Sequence, residues 1–174
     1  APAITCPAAV VTSTDSANCT VNVNYTVSFT DNCPGGTLSQ TSGLASGDPF
    51  PTGVTTNTFV ATDANGNTAT CSFTVTVVDT IAPVIACPSS QTVSNEPGLC
   101  GATVNYSITF SDNCHGAIMV QQSGLASGSF FPVGITTNTY LATDLAGNTA
   151  TCVFQITVEE LEAPVITCPA NVSV

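Results

Sequence analysis

From Thr20 to Phe29 apolar and polar side chains alternate, with Val21, Val23, Tyr25, Val27 and Phe29 on one side and Asn22, Asn24, Thr26 and Ser28 on the other. Successive side chains of extended backbone point to opposite faces, so this period predicts a half-buried strand. A second alternating run places Ala69, Cys71, Phe73, Val75 and Val77 inward. Between a strand ending near Asp63 and this run lies Ala64-Asn65-Gly66-Asn67, whose Asn and Gly tolerate positive φ and predict a hairpin turn. Both patterns return 81 positions later, as Ala102, Val104, Tyr106, Ile108 and Phe110 and as Ala150, Cys152, Phe154, Ile156 and Val158. No stretch has helical periodicity.

The repetition extends to whole phrases. Ser42 to Gly47 (SGLASG) recurs as Ser123 to Gly128, and Gly66 to Cys71 (GNTATC) as Gly147 to Cys152. Cys6, Cys19, Cys33 and Cys71 reappear as Cys87, Cys100, Cys114 and Cys152, and Cys168 opens a further copy. The expected organisation is a first repeat over residues 1–81, a second over 82–162, and the first strand of a truncated third over 163–174. About seven short strands in roughly 80 residues, punctuated by Gly, Pro, Asn and Asp, predict an all-β chain of tandem immunoglobulin-like β-sandwiches. The Trp and Cys spacing of antibody domains are missing.

Charge and cysteine content narrow the function classes. Eleven acidic residues stand against no Lys or Arg and one His, a net charge of -11. Such a chain repels phosphate polyanions, which excludes nucleic acid and anionic membranes as partners, and it offers trypsin-like proteases no cleavage site. We read this as an exposed, protease-resistant coat or fibre. Four cysteines per repeat without C-x-x-C or C-x-x-H spacing predict disulfides and an extracellular or cell-surface location. No apolar run is long enough to cross a bilayer, and Ala1 in place of an initiator Met reads as a mature piece of something longer.

Five motifs occurring in order carry a family resemblance: Ala82-Pro83-Val84-Ile85-Ala86-Cys87-Pro88, Pro97-Gly98-Leu99-Cys100, Ser111-Asp112-Asn113-Cys114, Phe131-Pro132-Val133-Gly134 and Ala142-Thr143-Asp144-Leu145-Ala146-Gly147-Asn148. Together they resemble the hyalin repeat, or HYR, module, with departures in the first repeat at Ala17-Asn18-Cys19 and Pro51-Thr52-Gly53. The resemblance implies an extracellular, non-catalytic adhesion module, found in tandem in matrix proteins and large bacterial surface adhesins. HYR-like modules also keep the first and fourth cysteines, which agrees with an Ig-like topology in which the first and last strands run parallel. Both considerations favour Cys6 with Cys71 and Cys87 with Cys152, each closing a loop worth roughly 3–5 kcal/mol.

Cys19 and Cys33 flank one predicted strand, about 40 Å apart if fully extended. A bridge between them needs a bend. Pairing within each repeat, of Cys19 with Cys33 and Cys100 with Cys114, is set slightly ahead of an alternative in which Cys19 reaches Cys114 and Cys100 reaches the unit after that.

Candidate chemistry lies in the acidic loops. Asp79, Asp112 and Asp144 are expected to converge at one junction between repeats and to offer hard oxygens to Ca²⁺, with carbonyls from Asn113 and Asn148. Asp31 and Asp63 repeat two of these positions in the first repeat. The competing reading, set ahead of calcium, is that these residues cap turns through their own backbone. Acceptor sequons for glycans fall at Asn18, Asn24, Asn105 and Asn171, and Ser16 and Thr80 resemble O-glycan acceptors of gliding-type bacteria. His115, where the first repeat has Pro34, reads as an exposed loop residue.

No nucleophile elbow, metalloprotease helix or phosphate-cradling loop occurs, so an enzyme is not expected and no cofactor beyond possible Ca²⁺. Three roles follow. The leading one is a rigid spacer or filament repeat, partnered by further copies in cis or in a filament and held stiff by the Pro-containing linkers Asp79 to Pro83 and Glu159 to Pro164. The others are a module that binds a glycan or surface receptor, and an accessory domain of a secreted enzyme.

Overall fold

The computed structural model describes residues 1–168, so the Asn171 sequon and residues 169–174 of the expected third repeat lie outside the described residues. Residues 163–168 form no strand. The first repeat contains β1 (Ala3–Thr5), β2 (Val10–Ser13), β3 (Thr20–Asn22), β4 (Ser28–Thr30), β5 (Thr37–Ser42), β6 (Pro49–Pro51), β7 (Gly53–Thr62) and β8 (Thr68–Val78). The second runs through β9 (Val84–Ala86), β10 (Gln91–Ser94), β11 (Gly101–Val104), β12 (Thr109–Ser111), β13 (Ile118–Ser123), β14 (Ser129–Pro132), β15 (Gly134–Thr143) and β16 (Thr149–Glu159). No described residue is helical, and no helix is long and apolar enough to cross a membrane.

Each repeat is a sandwich of one four-stranded sheet and two short ladders. In the first repeat the sheet has the order β2-β8-β7-β5, opposed by the pairs β1-β4 and β3-β6. The second repeat copies this as β10-β16-β15-β13 with β9-β12 and β11-β14. The N-terminal segment serves both layers. β1 pairs antiparallel with β4, and then, after Cys6 and Pro7, β2 pairs parallel with β8 from Val10↔Val75 to Ser13↔Val78. That parallel pairing carries Cys6 to Cys71, to which it is bonded with Cα atoms 5.9 Å apart, and Cys87 is bonded likewise to Cys152 at 5.6 Å.

The long strand β8 has the expected alternation, burying Phe73, Val75 and Val77 against Phe50 and Phe59. β16 does the same with Cys152, Phe154, Ile156 and Val158. The turn from β7 to β8 forms at Ala64-Asn65-Gly66-Asn67, with Gly66 at φ 84°.

The expected strand from Thr20 to Phe29 is broken. β3 pairs with β6 and β4 with β1, so residues 23–27 cross from one ladder to the other and leave the strand pattern. The backbone of Val23 and Tyr25 is instead bonded to the SGLASG loop. Tyr25 N–H donates to Ser46 Oγ at 2.8 Å, Ser46 Oγ donates back to Tyr25 O at 2.8 Å, and Gly47 N–H donates to Val23 O at 2.9 Å. Side-chain alternation survives the break, and Val23, Tyr25 and Val27 still pack on the core. In the second repeat the pattern fails at its end, where Phe110 is exposed.

The loop itself is anchored by a fully buried amide. Asn57 Oδ1 accepts Leu44 N–H at 2.8 Å, and Asn138 Oδ1 accepts Leu125 N–H at the same distance. Gly43 lies at φ 90°, where a Cβ would stand 2.1 Å from Asn57 Oδ1. Tyr25 completes the brace: its hydroxyl donates to Leu44 O while its ring meets Phe73 edge-on at 4.8 Å. Gly43→Ala therefore combines left-handed strain with loss of the buried bond, and urea denaturation should register a loss of roughly 2–4 kcal/mol. Gly53→Ala, where φ is 103° but a Cβ meets nothing within 4 Å, should cost only about 1–2 kcal/mol.

Candidate functional site

The compact units of the chain do not follow the sequence repeats. The first comprises Ala1–Pro83 together with Ser111–Ile118 and Thr143–Thr149; the second comprises Val84–Phe110, Met119–Ala142 and the described residues from Ala150 onward. Within the first unit, three segments build one polar cluster.

Where β2 ends, the buried Thr14 continues the parallel ladder by donating its N–H to Val78 O at 3.0 Å. Asp15 then closes a turn, its Oδ1 accepting Ala17 N–H at 2.9 Å and Asn18 N–H at 2.8 Å, and these two bonds hold its carboxyl below the usual range. The turn delivers Cys19, which is bonded to Cys114 with Cα atoms 4.8 Å apart. This corrects the slightly favoured pairing within each repeat. Cys33 and Cys100 are unpaired and exposed among the described residues, as is Cys168. The physical reason is reach: Cys19 precedes β3 and Cys33 follows β4, at opposite ends of the crossing, whereas the loop carrying Cys114 stands against the Cys19 turn, with Asn113 donating to Asp15 O at 3.1 Å and Asn18 O at 3.4 Å.

Asp79 follows β8 and is buried. Its Oδ1 accepts Thr14 Oγ1–H at 2.9 Å and Ile81 N–H at 3.2 Å. Asp112 forms a tight turn by accepting Cys114 N–H at 3.0 Å on Oδ2, while its Oδ1 is buried without a hydrogen-bond partner. Between these carboxylates lies Asn113. Its Nδ2 is surrounded by four oxygens: Asp15 O at 3.1 Å, Thr14 Oγ1 at 3.3 Å, and Asn18 O and Asp79 Oδ1 at 3.4 Å. An amide has two hydrogens to share among them. Its Oδ1, like that of Asp112, is buried and unpartnered.

Asp79, Asp112 and Cys114 each bring a potential ligand atom within 4.8 Å of the others. Because Cys114 is disulfide-bonded, its sulfur is no thiolate, and the donors left are all oxygen. Asp144 does not join this cluster. Its carboxylate is taken up by the β15 to β16 turn, accepting Asn148 N–H on Oδ1 and Asn148 Nδ2–H on Oδ2, both at 2.8 Å. Asn148 then donates to Asp79 O at 3.2 Å and Ile81 O at 3.3 Å. Asp144 thus acts on the cluster through the amide it positions. Asn148 contributes donors there, not the carbonyl expected of it.

The first-repeat turn is built identically, with Asp63 accepting Asn65 N–H, Asn67 N–H and Asn67 Nδ2–H. The Asn67 side chain is the main cause that holds the Asp63 carboxyl low. His115 lines an open groove with Thr52, Val78, Leu145 and Ala146. The glycan candidates Asn18, Asn24, Asn105, Ser16 and Thr80 are exposed, although Asn18 is engaged with Asp15 and Asn113.

These features agree with what the chain resembles among known proteins. The HYR domain family matches it twice, over residues 1–77 and 78–158, and the chain belongs to that family. It is 35% identical to hyalin of Strongylocentrotus purpuratus over 94% of its own length and 15% of that protein. It is also 33% identical to the rat sushi, von Willebrand factor type A, EGF and pentraxin domain-containing protein 1, over 98% of this chain and 5% of that one. A third relative, at 32% identity, is the serine-rich adhesin for platelets of Staphylococcus aureus, with 84% of this chain and 7% of the adhesin covered. The chain thus spans a small fraction of each relative.

Burial alone would raise the Asp144 carboxyl, but the Asn148 side chain and the N–H groups of Asn148, Gly147 and Ala146 outweigh it and hold the group below its ordinary value. A depressed carboxyl contributes stability above its unfolded pKa of about 3.9 and loses it as pH falls through the folded value. Asp144→Asn should start about 1 kcal/mol less stable at pH 7 because two amides then face each other. Thermal melts from pH 7 to pH 2 should show wild type and variant converging below about pH 4.

Proposed function

We propose that the chain is a non-catalytic structural repeat of an extracellular filament or long cell-surface adhesin, acting as a disulfide-stabilised spacer. The observation that carries this reading is the Cys19–Cys114 bond, which ties the first repeat to a loop of the second. A module that holds position gains from such a tie, whereas a self-contained binding bead does not need one. Bonded cysteines without Lys or Arg elsewhere support an oxidising, protease-rich surrounding. Small-angle scattering tests the spacer: the oxidised chain should behave as one stiff particle, and a profile of flexibly linked domains overturns it. The relative named as an adhesin for platelets favours direct adhesion as the second reading. Binding of the isolated chain to a glycan array or to platelets separates the two.

We further propose that the oxygens of Asp79, Asp112 and Asn113 bind Ca²⁺. The unpartnered Oδ1 atoms of Asp112 and Asn113 support this, as does the absence from the cluster of any thiolate that would favour a softer metal. Saturating Ca²⁺ at one hundred times its Kd should stabilise the fold by about 2.7 kcal/mol. Calorimetric titration and melting with and without chelator measure it, and Asp79→Asn with Asp112→Asn should abolish the effect. No heat and an unchanged melt remove calcium from the reading.

A further inference from the structure

We infer that Asn24 and Asn105 carry N-linked oligosaccharides, one rooted at the same place in each repeat, and that the third described sequon, at Asn18, stays bare. The inference is independent of the spacer reading. It needs only export through a pathway that carries an oligosaccharyltransferase.

Asn24-Tyr25-Thr26 and Asn105-Tyr106-Ser107 stand 81 positions apart. Both lie wholly in stretches outside the strand pattern, residues 23–27 between β3 and β4 and residues 105–108 between β11 and β12. Side-chain alternation persists through them, so residues two apart face the same way. Asn24, Thr26, Asn105 and Ser107 are exposed, whereas Tyr25 and Tyr106 pack on the cores. The amide that accepts a glycan and the hydroxyl two residues on, which together define an acceptor site, therefore share one solvent-facing side.

The middle residue fixes the root. Tyr25 N–H donates to Ser46 Oγ at 2.8 Å, and its ring meets Phe73 edge-on at 4.8 Å. Tyr106 N–H donates to Ser127 Oγ at 2.8 Å, and its ring meets Phe154 edge-on at 4.8 Å. None of these contacts uses the asparagine side chain. The loop residue beside that side chain is glycine in both repeats: a Cβ on Gly47 would stand 3.4 Å from Asn24 Oδ1, and one on Gly128 the same distance from Asn105 Oδ1. Without that carbon the loop leaves the carboxamide room to carry a sugar.

Asn18-Cys19-Thr20 is built otherwise. Asn18 N–H and Nδ2–H donate to Asp15 Oδ1 at 2.8 and 3.4 Å, and Asn18 O accepts Asn113 Nδ2–H at 3.4 Å. Its middle residue is bonded to Cys114, and Thr20 lies in β3 opposite Pro51. An oligosaccharide there would take the amide from the Asp15 turn and crowd the loop that brings Asn113 and Cys114 to it.

The transfer requires a polyisoprenyl diphosphate oligosaccharide as co-reactant. Asparagine Nδ2 attacks C1 of the first sugar, forming the N–C bond as the bond from C1 to the diphosphate oxygen breaks. The lipid diphosphate leaves, Nδ2 gives up one proton, and nothing is oxidised or reduced.

The test secretes the chain from cultured animal cells behind an export signal, with Asn171→Gln in every version because that sequon lies outside the described residues. Intact mass should show two N-glycans. Digestion with peptide N-glycosidase, which leaves Asp where a glycan stood, followed by peptide mapping should place them at Asn24 and Asn105. Asn24→Gln and Asn105→Gln should each remove one glycan. Thr26→Ala and Ser107→Ala should do the same while leaving the asparagine in place, and Asn18→Gln should remove none. All these positions are exposed, so the substitutions spare the core. A secreted chain that is bare at Asn24 or Asn105, that carries a glycan at Asn18, or that keeps both glycans in the Thr26→Ala variant overturns the inference. A bare chain that remains stiff in scattering does so while leaving the spacer reading standing.

Discussion

With no lysine or arginine in the chain, the side-chain carboxylates have to be held mainly by neutral donors, and this constraint organises the loops. All seven aspartates accept N–H or O–H groups from nearby side chains or backbone. Asp63 and Asp144 each close a hairpin with an asparagine, Asp15, Asp31 and Asp112 close tight turns onto backbone, and Asp79 is satisfied by a threonine hydroxyl. A neutral donor neither screens a carboxylate nor attracts it from a distance, so each contact must be local and geometrically fixed. The aspartates therefore sit in turns, where an N–H lies two to four residues away.

The same constraint explains why the sandwich is tied by covalent bonds and buried amides. A domain of roughly 80 residues buries a modest core, and ion pairs with Lys or Arg are unavailable to supplement it. Disulfides between the first strand region and the last take that place, together with Asn57 and Asn138, which fasten the SGLASG loop to the sheet. That loop in turn bonds the backbone of Val23 and Tyr25 in the crossing segment. The motif repeats without change because each of its positions has a structural partner: Gly43 clears the buried amide, Leu44 donates to it, and Ser46 pairs with the crossing backbone.

Period-two patterning made β8 and β16 legible, since ten or so alternating residues fix both the element and its buried face. The hairpin turn was legible for a local reason, the tolerance of Asn and Gly for positive φ. The break between β3 and β4 was not, because residues 23–27 retain the alternation while changing pairing partner, and alternation records which side faces inward, not which strand lies beside. Phe50 and Phe131, fully buried, sit in short segments too brief to show a period. The polar cluster was half legible: Asp79 and Asp112 meet, but Asp144 is claimed by Asn148 four residues on, a contact that the turn dictates and spacing alone does not reveal.

The partner of Cys19 escaped for a deeper reason. Reading a repeat as a self-contained bead assumes that its contacts close within its own sequence, yet residues 111–118 and 143–149 of the second repeat belong to the first compact unit. Tandem architectures of this kind draw stability from nearest-neighbour terms as well as from each repeat. Here that term includes a covalent bond, the Asn113 amide and the Asn148 amide, all contributed by loops that make few demands on the core of the repeat that carries them. Such loops are free to be shaped by the neighbour. Their sequence therefore records a contact made outside the repeat, which is why Asp-Asn-Cys recurs at both Cys33 and Cys114 although only the second is bonded.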